Sequence, residues 1–142
     1  ALGRLGAAAV PVRDNLVIAA RDSSGMVRLE AVRALAGLPR DTLVVLQALL
    51  HALDDPSEQV RGAAIYGIAR YDHAAVAAVP ALRRALRDGH FGMRSSAADA
   101  LGRIGAGAGA ALPELRRALV DPDSSTRAAA AAALTRIAGS PP

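Results

Sequence analysis

One six-residue pattern returns through this chain at a fixed interval of 33 residues: ALGRLG at Ala1, ALAGLP at Ala34, GIARYD at Gly67, ALGRIG at Ala100 and ALTRIA at Ala133. No gap is needed to keep the register, and further columns fall into line with it. Leu16, Leu49, Leu82 and Leu115 form one column, and Ala31, Ala64, Ala97 and Ala130 form another. Two charged columns recur as well: Asp22, Asp55, Asp88 and Asp121, each followed six residues later by Arg28, Arg61, Arg94 and Arg127. A unit of this length cannot bury an apolar face by itself, so the copies must stack on one another to form a continuous core.

Each unit reads as two helices. The first carries apolar residues at helical spacing, as in Leu43, Leu46, Leu49 and Leu53 or Val76, Val79, Leu82 and Leu86, which places one stripe on one face. It stops at the aspartate column, where Asp55-Pro56-Ser57, Asp88-Gly89 and Asp121-Pro122-Asp123-Ser124 supply turn formers. The second helix buries Val60, Ala64, Ile68 and Tyr71, or Met93, Ala97, Leu101 and Ile104. Glycine-rich links such as Gly105-Ala106-Gly107 end it. Pro80 and Pro113 fall within the first helices of the third and fourth units, where a kink is expected, or a helix whose regular part starts close to the proline.

Composition supports helices throughout. Alanine, the best helix former and a poor strand former, dominates, and aromatic residues make up only 2%. The core therefore has to come from close helix approach. The expected fold is all-α, an α-solenoid of four two-helix repeats over residues 1–142: 1–33, 34–66, 67–99 and 100–138, with 139–142 as a tail. Residues 1–5 resemble the tail of a preceding second helix, so a longer repeat protein is expected to contain this piece. In the first repeat, Arg13, Asp14 and Asn15 are expected to interrupt the first helix.

This pattern resembles the HEAT-repeat family, in particular the short bacterial kind also found in phycobilisome lyases. The resemblance rests on the two-helix unit and on the Leu-x-x-Ala-Leu ending of the first helix, at Leu82–Leu86 and Leu115–Leu119. It rests also on the Asp/Arg pair bracketing the turn. It implies that Asp22, Arg28, Asp55, Arg61, Asp88, Arg94, Asp121 and Arg127 form a structural ladder between adjacent repeats. It also implies a right-handed superhelix whose second helices line a concave face.

Little in the sequence points to catalysis or metal binding. His51, His73 and His90 sit in different columns, with no second histidine at helical spacing. The paired His-Glu dipeptides of HEAT-like deoxyhypusine hydroxylases are missing, since Ala52, Ala74 and Phe91 follow the histidines. Neither a catalytic residue nor a metal ligand is assigned, and no cofactor is expected. Without cysteine the chain forms no disulfide, and a cytoplasmic location is expected.

All 17 basic residues are arginine, and the net charge is +4. What matters is where they lie. Taking Ala31, Ala64, Ala97 and Ala130 as the centre of the buried side, the opposite side at 100° per residue carries Leu29, Val32 and Arg33, then Ile65 and Tyr66, then Ser95 and Asp99, with Phe91 at the edge. That face is nearly neutral and partly apolar, which suits a protein partner or a neighbouring domain of the same polypeptide. Arg83, Arg84, Arg87, Arg116 and Arg117 lie on first helices, on the convex side, where a nucleic-acid backbone is the alternative partner. An accessory role in protein modification, as in phycobilisome lyases, is a further alternative carried by the resemblance alone.

Overall fold

In a computed structural model, the described residues are 2–39 and 43–139, without the side chains of residues 2–10, Asp88 and Phe91. They form eight α-helices and no strand: α1 (Leu2–Ala19), α2 (Gly25–Gly37), α3 (Leu43–Ala52), α4 (Glu58–Ile68), α5 (Val79–Asp88), α6 (Phe91–Ile104), α7 (Leu112–Ala118) and α8 (Ser124–Gly139). Two 3₁₀ segments, Ala69–Ala78 and Gly105–Ala111, precede α5 and α7. The fold is an all-α solenoid of two-helix repeats. Its contacts divide the chain into two compact units, Ala1–Gly67 and Ile68–Pro142, each holding two helical hairpins.

In the first unit α2 packs on α1 and α3, and α1 also touches α3. In the second, α5 packs on α6 and α7 on α8, while α5 meets α7 and α6 meets α8. Hairpin partners and like helices of adjacent repeats thus share one core, as stacking requires. Leu49, Leu82 and Leu115, one column of the repeat, are fully buried, and so are Ala64, Ala97 and Ala130.

Like helices approach so closely that glycine is needed at the crossing. A Cβ on Gly67 would stand 2.9 Å from the Ala36 Cβ, and one on Gly102 would stand 2.9 Å from the Ala133 Cα. Both are the same junction of the repeat, since Ala36 and Gly102 share one column and Gly67 and Ala133 share another. These two junctions each pair one alanine with one glycine, which the later repeat supplies in the first and the earlier repeat in the second.

Three expectations need correction. Helix α1 runs unbroken from Leu2 through Arg13, Asp14 and Asn15. Residues 2–5 therefore belong to the first helix and do not close a separate one, since a lone glycine at Gly6 costs a helix only about 1 kcal/mol and the following alanines propagate it. Leu43 and Val76, assigned to the buried stripe, are exposed, while the rest of their stripes is buried. Of the two outcomes expected at Pro80 and Pro113 the second holds: each regular helix starts beside its proline, which sits within the first two positions, where a missing N–H costs nothing.

Candidate partner-binding surface

The recurring charges are built into the junctions. In the first unit Arg28 donates from Nε and Nη2 to the two carboxylate oxygens of Asp55, at 2.7 and 3.1 Å. Its Nη1 donates to the backbone carbonyls of Asp22 and Ser23 in its own turn. The second unit repeats this geometry: Arg94 forks onto Asp121 at 2.8 Å for both bonds and donates to the carbonyl of Gly89. Arg61 and Arg127 hold their own turns in the same manner, through Asp55 and Pro56 and through Asp121 and Pro122. Each arginine therefore clamps its own turn by carbonyls, and where a rung is seen it reaches 27 residues forward to the carboxylate of the next repeat. The Asp88 side chain lies outside the described residues.

These aspartates also shape their turns, accepting the N–H of Ser24, Ser57 and Asp123 respectively at 2.8, 2.8 and 2.9 Å. The Arg28 fork, aided by the Ser57 N–H, holds the Asp55 carboxyl below the usual carboxylate range. Arg94 does the same for Asp121. Asp123 is lowered by the Thr126 hydroxyl and N–H, which it caps at 2.8 Å each.

A third cross-repeat contact has no counterpart in the ladder columns. Glu114, buried in α7, accepts from Arg83 Nη2 at 2.9 Å and Arg87 Nη1 at 3.1 Å, both on Oε1. Arg83, the larger influence, keeps the Glu114 carboxyl low. Its Oε2 and the Arg83 Nε are buried without a hydrogen-bond partner. The sequence did carry a signal for it, because Glu114 occupies a column that holds Asn15, Ala48 and Ala81 elsewhere, and Arg87 precedes it by the ladder's own spacing of 27. Two of the five arginines assigned to a free basic face therefore share one carboxylate, while Arg116 and Arg117 are exposed on α7.

The apolar patch expected on the second helices is not a surface. Leu29, Val32 and Ile65 are buried in the core. Ala31 is not the centre of the buried side: buried positions of α2 run from Ala31 through Leu35 and Val32 to Ala36 and Leu29, so Ala31 marks one edge of the buried arc and Val32 its middle. A second helix in a stack is covered by its hairpin partner and by its neighbour, which widens the arc. Tyr66 remains outside, 69% exposed. Arg33 is exposed and paired with Glu30 at 2.9 Å. Ser95 is half-buried and donates to the carbonyl of Gly92. Asp99 holds Arg103 at 3.0 Å, with Arg136 at 3.9 Å. The Phe91 side chain lies outside the described residues.

In the second unit the second-helix ends open onto a cleft of about 560 Å³ lined by Asp72, His73, Gly102, Arg103, Thr135 and Arg136 among others. His73 turns Nδ1 to the Ile104 carbonyl at 2.8 Å, and His90 caps α6 by accepting the Met93 N–H. Asp72 has φ 48°, ψ −127°, nearly the conformation of Gly105 at φ 75°, ψ −136°, one repeat later. No group of three or more metal-ligating side chains occurs among the described residues. Nor is any helix there long and apolar enough to cross a membrane.

Stacked hairpins closed by a carboxylate–guanidinium rung define a repeat protein of the helical-solenoid class. A family model for HEAT repeats matches residues 46–135, and the chain belongs to that family. Among solved structures it is similar to an engineered protein, at 21% identity and TM-score 0.76 over 90% of this chain and 64% of the other. It is also similar to a designed armadillo repeat protein, at 24% identity and TM-score 0.68 over 86% and 63%. The chain thus spans under two thirds of the length of both structures, and at these identities they speak for the fold alone. No curated protein is significantly similar to it.

Proposed function

We propose that this chain is a protein-interaction scaffold, cytoplasmic and without a cofactor, whose partner or neighbouring domain contacts the outward column of the second helices. The observation that carries this is Tyr66. In a chain with three aromatic residues, one stands 69% exposed on α4 directly after the buried Ile65. Tyrosine in such a position offers a large, rigid, amphipathic contact of the kind that dominates interfaces. Arg33, in the same column one repeat earlier and in the same unit, is exposed and supplies a polar contact. The alternative, a nucleic-acid backbone held by first-helix arginines, is weakened because Arg83 and Arg87 already share Glu114.

With the chain as bait, Tyr66→Ser is expected to weaken capture of its partner about 10-fold or more while leaving the thermal midpoint unchanged. The triple variant R84Q/R116Q/R117Q is expected to bind as the parent does. Loss of binding in the triple variant alone, or duplex DNA binding that falls steeply with salt, contradicts the proposal. Ile65 must be kept, since serine there opens the core.

A further inference from the structure

At the junction of the third and fourth repeats, inside the second unit, a groove of about 320 Å³ is lined by Arg87, Glu114, Arg117 and Pro122 beside the Arg94–Asp121 rung. The corresponding junction of the first unit has the same rung, Arg28 with Asp55, and the same proline, Pro56. Arg21 keeps the place of Arg87 there. Val17, Ala48 and His51, however, stand where the second unit has Arg83, Glu114 and Arg117.

Stacking does not require these three charges. Ala48 fills its position buried, so a carboxylate in that place adds a desolvation cost that its two arginines must offset. The offset is incomplete, because Glu114 Oε2 and Arg83 Nε have no partner. A local rule broken at one junction and kept at its equivalent points to function. Glu114 Oε1 holds Arg83 and Arg87 side by side, while Arg117 makes no hydrogen bond or ion pair among the described residues. With the neutral rung set aside, three arginines against one carboxylate leave two positive charges. The surroundings add to them: the first unit balances seven arginines with seven carboxylates, so the whole excess of +4 lies in the second. Neighbouring repeats do not cover the groove's arginines either. The column of Arg117 is exposed in every repeat, at Ile18, His51 and Arg84, and so is that of Arg87, at Arg21, Asp54 and Val120.

We propose that this groove binds a phosphate dianion, free or as the monoester of a small molecule, with Arg87 and Arg117 donating to its oxygens. Two surplus charges match a dianion, and planar guanidinium groups suit the bidentate recognition of phosphate. Arg87 spends only Nη1 on Glu114, which leaves Nε and Nη2 for the ligand. The site is separate from the Tyr66 column and does not depend on it.

Titration of the 142-residue chain with inorganic phosphate, followed by phosphorus NMR at constant ionic strength, tests this. Saturable one-to-one binding is expected, at least about 10-fold weaker in Arg117→Gln. Arg117 is exposed, so that variant is expected to keep the thermal midpoint of the phosphate-free parent. Arg87→Gln should weaken binding as well, whereas Arg21→Gln, at the equivalent place in the first unit, should bind as the parent does. O-phosphoserine bound more tightly than inorganic phosphate identifies an esterified phosphate as the ligand, and the reverse order identifies free phosphate. No saturation overturns the proposal, as does undiminished affinity in Arg117→Gln. Duplex DNA that binds more tightly than either probe, and is lost in Arg117→Gln, overturns it too, because the groove would then hold a phosphodiester backbone.

Discussion

Asp72 shows how a repeat constrains a single residue. The backbone leaving the second helix needs positive φ there, which glycine supplies at Gly105 and an L side chain adopts only with strain. Asp72→Gly is expected to raise stability by about 0.5–1 kcal/mol, the relief of strain less the entropy that glycine loses on folding. Thermal or urea unfolding checks it. A fall in the midpoint would mean that the Asp72 side chain contributes more than its backbone strain costs. The strain was not legible beforehand, because nothing in Tyr-Asp-His marks a left-handed position until Asp72 is set beside Gly105. The rungs were legible, since Asp and Arg recur at a fixed spacing. Glu114 was overlooked because it occurs once, and periodicity reveals only what repeats.

At the scale of helices, the number of hairpins, their turns and most of their buried stripes followed from apolar spacing and turn formers. What the spacing left open was how far round each second helix is covered. A wheel drawn for one helix does not know how many neighbours that helix has, so Leu29, Val32 and Ile65 were assigned to the surface. Coverage is decided by the close crossing at Ala36 with Gly67 and at Gly102 with Ala133. Gly102→Ala is expected to cost about 1–3 kcal/mol, because the added methyl meets the backbone of α8, which moves only with the whole helix. Adding Ala133→Gly should recover part of that loss, since this is the arrangement the first junction already uses. If the single variant were neutral in chemical denaturation, the helices would be free to separate and the close crossing would not be what holds them.

Over the whole molecule, stability is expected to be a sum of similar junctions between neighbouring repeats. Each seen rung is a bidentate arginine–carboxylate pair that is mostly shielded from water, which gives it more weight than an ordinary surface pair. Asp55, Glu114 and Asp121 are all held below the usual carboxylate range in the fold. A depressed folded pKa means that the unfolded chain binds protons first. The rungs therefore stabilise fully above about pH 4–5 and lose that contribution as pH falls through the depressed values. The most direct test is a double-mutant cycle on Arg94→Gln and Asp121→Asn, followed by urea unfolding at neutral pH. A coupling of about 1–2 kcal/mol that vanishes in acid is the expected result. Strict additivity of the two substitutions would contradict the account, because the recurring charges would then not join one repeat to the next.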